Sequence, residues 1–384
     1  MKSFNCAPLA GKAAVGILTT SQEVRPRGDF VLVKGSPGIL DLGFGGYIAS
    51  SRKLPPFSSV GGFLEDLSQI EPHVGDIAHV SPDGMVNLVW EKRANHNALF
   101  LTEACNARCL MCPQPPKKHN PAHLETANRV LDLLEGEQLP AICITGGEPT
   151  LLGKDFVRIV RRCTSEHPES QVDILTNGQT FSDFDFAKSV AEACGQGARL
   201  CISLHADCDE LHDSIVQSKG AFRKTHRGLF NLARLQCNIE VRFVVSRLNY
   251  GRLPYLADTI FRTYPFVSHV AIMGLEMTGY AKDNHLNIWI DPLDYRHELS
   301  RFVSEARRRG INFSLYNHPL CVIDQCAWPY ARRSISDWKQ DYSSECASCI
   351  KLAQCCGVFS TSESRISRGI APITQYGGGD LYES

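Results

Sequence analysis

Cys105, Cys109 and Cys112 stand at a Cys-x3-Cys-x2-Cys spacing inside the stretch TEACNARCLMCPQPP. Three thiolates this close together suit a metal centre. Four would complete a tetrahedral zinc site or fully ligate an iron–sulfur cluster, whereas three leave one corner open for a substrate or cofactor. A second set lies in ECASCIKLAQCC, with Cys346, Cys349, Cys355 and Cys356, preceded by Cys321 and Cys326. Thiols clustered at short spacing in a chain expected in a reducing compartment favour metal over disulfides. The chain has sixteen cysteines, and the others read as small core residues. Cys143 and Cys201 sit in apolar runs, and Cys6, Cys163, Cys194, Cys208 and Cys237 are isolated.

The elements that must position these thiols follow from the rest of the chain. Its 384 residues suffice for two or three domains. Hydrophobic residues make up 43% and charged residues 21%, an ordinary globular balance. A net charge of −1 gives no reason to expect nucleic acid or an anionic membrane as partner. No apolar run is long enough for a membrane span, and the first residues lack a long apolar signal core, so a cytoplasmic location is expected.

Three zones are expected. Residues 1–95 hold short apolar runs broken by glycine and proline (DFVLVKG, GGYIAS, GDIAHVSPDG, MVNLVW), which predict a β-rich domain. Residues 96–290 alternate strand-like and helix-like segments. The strands are ALFLT, AICIT, VDILT, RLCISLH, IEVRFVV and SHVAIMG. Such alternation predicts a parallel sheet with right-handed crossovers, a full or partial barrel of six units. Residues 291–384 hold a helix, the strand INFSLY, the second thiol set and a flexible tail. Arg307–Arg309 at that helix's end read as a solvated face favoured by the helix dipole.

Ligands of parallel α/β folds bind at the carboxyl ends of the strands. The first thiol cluster follows strand one. Gly146, Gly147 and Glu148 follow strand two, Asn177 and Gly178 follow strand three, and Ser203 and His205 end strand four. Independent signals therefore converge on one end of the sheet. His205 reads as a hydrogen-bonded structural histidine rather than a substrate contact.

The thiol spacing joined to Gly-Gly-Glu-Pro resembles the radical S-adenosylmethionine superfamily. That resemblance implies that Cys105, Cys109 and Cys112 hold a four-iron, four-sulfur cluster whose open iron is chelated by S-adenosylmethionine. Reductive cleavage then yields a 5′-deoxyadenosyl radical, chemistry that the cofactor carries. It implies further that Gly146, Gly147 and Glu148 bind the methionyl amino group. Ser203 would face the ribose or carboxylate, and Arg242 the methionyl carboxylate. Met111 departs from the aromatic residue usual near the adenine. A three-thiolate zinc site would leave the Gly-Gly-Glu-Pro unexplained.

Cys346-x2-Cys349-x5-Cys355 resembles the auxiliary-cluster extensions of peptide-modifying radical enzymes. Cys321 is the expected fourth ligand, since it follows a strand and a sharp turn, with Cys326 and Cys356 as competitors and a structural zinc as the alternative occupant. CLMCPQPP, ITGGEPTLLG, SLHAD, GAFRKTHRGLFNL and SISDWK together resemble the C-type radical maturases of His-Xaa-Ser systems. Cys356-Gly357 and the extra Cys326 depart from that pattern. The implied function is modification, such as a cross-link, of a ribosomally made His-Xaa-Ser repeat peptide. A partner radical maturase and a reductant such as flavodoxin or ferredoxin are implied too. Residues 1–95 would help to capture the peptide by strand addition. Two other readings compete: a radical enzyme acting on a small molecule or nucleobase, and a zinc-stabilised binding module.

Overall fold

The computed structural model describes residues 3–5, 7–9, 13–20, 29–34, 44, 46–49, 61–63, 73–81, 85–94, 96–335, 339–362 and 365–375. Cys6, three residues of the SISDWK motif (336–338) and the tail beyond 375 lie outside them.

The amino-terminal strands are β1 (Ser3–Asn5), β2 (Ala7–Leu9), β3 (Ala14–Thr19), β4 (Phe30–Lys34), β5 (Gly46–Ala49), β6 (Gly61–Phe63), β7 (Ile77–Val80) and β8 (Met85–Trp90). They form one mixed sheet in the order β1-β8-β7-β3-β4-β5-β6-β2. Leu18, Val31, Ile48, Ala78, Val80, Val86 and Leu88 make its core. Alternation at every second residue, as in β8 where Val86, Leu88 and Trp90 are buried, turns one face of such a strand inward.

The strand pairs of the second sheet run parallel. Its strands are β9 (Asn97–Phe100), β10 (Ala141–Thr145), β11 (Gln171–Thr176), β12 (Ala198–Ser203), β13 (Asn238–Val244), β14 (His269–Met273), β15 (Phe313–Tyr316) and β16 (Ala331–Arg332), in sequential order. The six strands expected are present, and the sheet runs on through β15 and β16. Phe313 and Leu315 are buried and continue the aliphatic rows of β14, which is why INFSLY adds to this sheet.

Crossover helices follow each of the early strands. They are α1 (Pro121–Leu133), α2 (Lys154–Glu166), α3 (Phe184–Cys194), α4 (Asp209–Val216), α5 (Ala221–Arg234) and α6 (Leu253–Thr263). Two single turns, α7 (Tyr280–Asp283) and α8 (His285–Ile288), precede α9 (Arg296–Arg308). Sequence chemistry sets their limits. Asn120 caps α1 through the Ala122 N–H, with Pro121 in the first turn. Asp183 caps α3 by accepting from the Asp185 and Phe186 N–H groups. In α2, Phe156, Ile159, Val160 and Cys163 recur at helical spacing and are buried.

Two compact units divide the chain. One comprises residues 1–102, 119–146 and 154–174; in it Arg129 of α1 pairs with Asp29. The other comprises 103–118, 147–153 and 175–384, and it holds both thiol clusters. The Arg307–Arg309 run lies on a salt-bridged surface: Arg308 pairs with Glu305, and Arg309 pairs with Asp258 at 2.7 Å and covers the Phe261 ring.

Candidate cofactor site and a second thiol recess

The loop after β9 carries the first thiols, and its backbone is pinned at several points. The Arg108 N–H donates to the Val216 carbonyl and the Leu110 N–H to that of Ile215. The Tyr280 N–H donates to the Cys112 carbonyl at 2.9 Å, and the Asn284 side chain donates to that of Leu110. Cys105 Sγ accepts from the Ala107 N–H at 3.4 Å. All three thiols are half-buried. Burial pushes Cys105 up to about 11 and Cys109 up to about 12, and each sulfur adds to the rise at Cys109. Burial raises Cys112 too. Neutral thiols of this kind bind metal by giving up protons, so loading is favoured as pH rises.

Gly146 and Gly147 are required by close approach. A Cβ on Gly146 would stand 2.6 Å from the Thr102 carbonyl oxygen, and one on Gly147 would stand 2.4 Å from that of Ala104. The glycine turn therefore lies directly on the backbone that leads into the thiol loop, and the Glu148 N–H donates to the Ala104 carbonyl at 2.8 Å. Gly147→Ala is expected to push these two backbones apart. We expect a cost of about 1–3 kcal/mol, the usual penalty of overpacking, and a matching loss of iron retention. Denaturant melts and iron assays on the same preparation check it. A wild-type iron content in Gly147→Ala would remove the close approach from the account.

Glu148 is fully buried and its carboxylate is already engaged. Oε1 accepts from the Thr150 N–H, the Thr150 hydroxyl at 2.6 Å and the Thr176 hydroxyl at 2.7 Å. Oε2 accepts from the Asn177 N–H at 2.7 Å. Burial raises this carboxyl, and those hydrogen bonds work against the rise. Glu148 thus ties the glycine turn to the turn after β11, and the remaining lone pair on Oε2 is its capacity for an ammonium. Asn177 continues the tie: its amide donates to Asn106 Oδ1 at 2.6 Å and lies 4.0 Å from Cys105 Sγ. Gly178 adopts a left-handed φ of +75° there, with no room for a side chain beside Ile202. The sequence singles out Asn177 with Gly178 as a signal at the end of its strand, but not Thr150 or Thr176.

Ser203 and Arg242 are register partners on β12 and β13, and both are half-buried. Arg242 lies 3.8 Å from Glu240 and 3.3 Å from Met273 Sδ. Met111 is buried in an apolar cluster with Ile215, Ala281 and Ile288, against which Cys109 and Leu110 also pack. His205 is buried, accepts from the Val244 N–H and is pushed down to about 3 by burial, as a neutral structural histidine.

The second thiol set lines a recess of about 380 Å³ with Cys321, Cys346, Cys349 and Cys355 on its wall, beside Tyr342 and Leu352. Backbone donors point at two of its sulfurs. Cys355 Sγ accepts from the Gly357 N–H at 3.4 Å and from the Leu320 N–H at 3.5 Å, and Cys349 Sγ from the Ile373 N–H at 3.4 Å. Cys356 is buried and its thiol donates to the Gly357 carbonyl at 3.3 Å; the neighbouring Cys356 thiol, with the Gly357 and Leu320 N–H groups, holds Cys355 down to about 6. Cys326 is exposed, 3.8 Å from the Ser300 hydroxyl. The segment that supplies the Ile373 N–H is latched by Arg368, which pairs with Asp291 and Asp294, while its Ser367 hydroxyl bonds Asp291.

Among the described residues, no three His, Cys, Asp or Glu side chains already stand as a closed metal shell. The donor chemistry nevertheless fits iron–sulfur ligation: soft sulfur, backbone N–H groups aimed at sulfur, and glycines that let backbone come close.

The fold and the site define a parallel α/β protein with a thiol-bearing loop after the first strand of its sheet and a glycine turn packed upon it. Residues 99–252 match the Radical SAM superfamily, and this part of the chain is a domain of that family. The mycofactocin maturase MftC of Mycobacterium ulcerans is 32% identical over 174 residues, 44% of this chain and 43% of that protein. The Fe-coproporphyrin III synthase of Methanosarcina barkeri is 28% identical over 163 residues, 42% of this chain and 39% of that one. The matched region thus spans less than half the length of these two curated relatives. The crystal structure of Streptococcus suis SuiB bound to S-adenosylmethionine aligns with a TM-score of 0.48 at 18% identity, covering 57% of this chain and 50% of that one. No described helix is long and apolar enough to cross a membrane.

Proposed function

We propose that this chain is a radical S-adenosylmethionine maturase that modifies a ribosomally made peptide. The observation that carries the reading is the backbone contact between Gly147 and the thiol loop, with Glu148 fastened beneath it. That arrangement holds Cys105, Cys109 and Cys112 next to a turn whose backbone can meet an amino acid. These thiols would hold a four-iron, four-sulfur cluster. Gly146, Gly147, Glu148 and Met111, with Ser203 and Arg242, would hold S-adenosylmethionine. Together, when bound, they supply a hydrogen-abstracting radical. Cys321, Cys346, Cys349 and Cys355 would hold an auxiliary cluster, a choice supported by their shared recess and by the placement of Cys326 and Cys356 away from it.

The substrate would be a His-Xaa-Ser repeat peptide, processed with a partner maturase and a flavodoxin or ferredoxin as reductant. Likeness to a mycofactocin maturase supports the peptide class, while the repeat rests on the motifs quoted above. Residues 1–95 would contribute an edge strand to the peptide; β1 and β2 are the edges of their sheet. The test is anaerobic incubation of the reconstituted protein with S-adenosylmethionine, strong reductant, the repeat peptide and the partner maturase. Formation of 5′-deoxyadenosine and a peptide lighter by two hydrogens at a repeat is expected. Abundant 5′-deoxyadenosine with an unchanged peptide overturns the substrate. No 5′-deoxyadenosine from iron-loaded protein overturns the radical reading.

A further inference from the structure

Residues 365–375 form no helix or strand, so side-chain contacts and a few backbone bonds fix their course. One anchor is Asp291, a buried carboxylate at the start of the turn that leads into α9. Among the described residues it accepts from four donors: the Leu293 N–H at 3.0 Å, the Ser367 hydroxyl, and the backbone N–H and guanidinium of Arg368, each at 3.0 Å. The Arg368 guanidinium also pairs with both oxygens of Asp294. The other anchor is Ile373. Its carbonyl accepts from the Ile350 N–H at 2.9 Å, and its N–H donates to Cys349 Sγ at 3.4 Å. Between the anchors, Ile370 and Ala371 line the thiol recess. Ile370 also lines a neighbouring cavity of about 540 Å³, with Val245, Gly274 and Asn317 from the carboxyl ends of β13, β14 and β15.

A buried carboxylate is costly unless it is paired and hydrogen-bonded. Three of the four donors to Asp291 come from Ser367 and Arg368, so displacing these two residues would leave it only the Leu293 N–H. Docking of the segment is therefore favoured although no regular structure holds it. The pair with Asp294 is weaker. The Arg368 and Asp294 side chains are 60% and 48% exposed, so water and salt screen them. The same segment meets a sulfur at its far end, so holding Arg368 in place also holds the Ile373 N–H in place.

We propose that residues 365–373 are a strap that closes the second thiol recess, keyed at Arg368 to Asp291 and Asp294. It deepens the proposed function and, for its effect on metal, rests on that reading of the recess. Docked, the strap sets the Ile373 N–H on Cys349 Sγ and stands as a wall between the recess and the neighbouring cavity. Released, it opens the recess to that cavity and to solvent, the route by which metal enters and leaves. Arg368 touches none of the thiols; it is a positioning residue that acts through the strap.

The test labels the thiols of the full-length, reduced, metal-free chain with iodoacetamide and reads each cysteine by peptide mass spectrometry. Arg368→Glu sets a third carboxylate against Asp291 and Asp294. It should label Cys321 and Cys349 about 10-fold faster than wild type, the order expected when hydrogen bonds to a charged group are lost and the segment opens locally. Arg368→Lys, which keeps the charge without the forked geometry, should fall between the two. Cys326, outside the recess, and the core thiols Cys163 and Cys194 should label as in wild type. Equal labelling of Cys349 in wild type and Arg368→Glu overturns the strap. So does an acceleration shared by Cys163 and Cys194, which reports loosening of the whole fold. A second measurement uses the chain lacking Cys105, Cys109 and Cys112, loaded with metal anaerobically. Arg368→Glu should release that metal to a chelator about 10-fold faster, as losing an outer partner of a ligand does. Unchanged release overturns the strap's hold on the metal. Neither iron nor zinc in that chain counts against the metal reading instead, and the labelling rates then still decide the strap.

Discussion

Cys105→Ala, Cys109→Ala and Cys112→Ala are each expected to reduce 5′-deoxyadenosine formation by more than about 100-fold, because even an outer partner of a metal ligand is commonly worth 10–100-fold. Among the described residues, the remaining cysteines have other places. Cys208 is exposed and caps α4 by position, and Cys143 and Cys201 belong to strands. Removing one thiol leaves two on a loop that is otherwise pinned by backbone bonds to Ile215, Val216 and Tyr280. The loop should therefore keep its shape while losing its cluster, so each variant should melt within about 1–2 kcal/mol of wild type, as the loss of a single half-buried sulfur does. The measurement is 5′-deoxyadenosine by chromatography after anaerobic reconstitution, with iron and sulfide assayed on the same sample. Wild-type-like turnover by any one of the three would sink the ligand assignment.

The sequence made the thiol loop legible because its chemistry is local: three cysteines, then a glycine pair after the next strand. Strands β10 to β14 were legible for the same reason, each being an apolar run punctuated by glycine, asparagine or charge. What was hidden depends on contacts between distant residues. The resemblance gives Glu148 as a partner of an amino group, but not that Thr150, Thr176 and Asn177 hydrogen-bond it once β10 and β11 are side by side. Met111 is singled out by its place beside Cys112, but its packing with Ile215, Ala281 and Ile288 joins residues far apart in the chain. Glu240, His269 and Ser314 lie on three separate strands and form a row only through parallel register. The same register brings β15 into the sheet, although a helix of thirteen residues and two single turns stand between it and β14.

Loss of the first cluster should leave the second intact. The variant lacking Cys105, Cys109 and Cys112 is expected to bind about four iron atoms per chain after anaerobic reconstitution, as one complete four-iron cluster requires. Adding Cys321→Ala should remove most of that iron, whereas adding Cys326→Ala should leave it unchanged. The reason is positional. Cys321 shares the recess wall with Cys346, Cys349 and Cys355, and Cys326 faces solvent beside Ser300. Cys356→Ala should retain iron but alter the cluster's potential, because the Cys356 thiol donates to the carbonyl of Gly357, whose N–H donates to Cys355 Sγ, and does not line the recess. Hydrogen bonds to sulfur are one of the protein's levers on cluster potential. Iron near zero in the triple variant would overturn the auxiliary cluster, and stoichiometric zinc in its place would assign the recess to a structural metal. Equal iron with and without Cys321 would pass the fourth position to another ligand, and the Cys326→Ala and Cys356→Ala backgrounds would then show which thiol holds it.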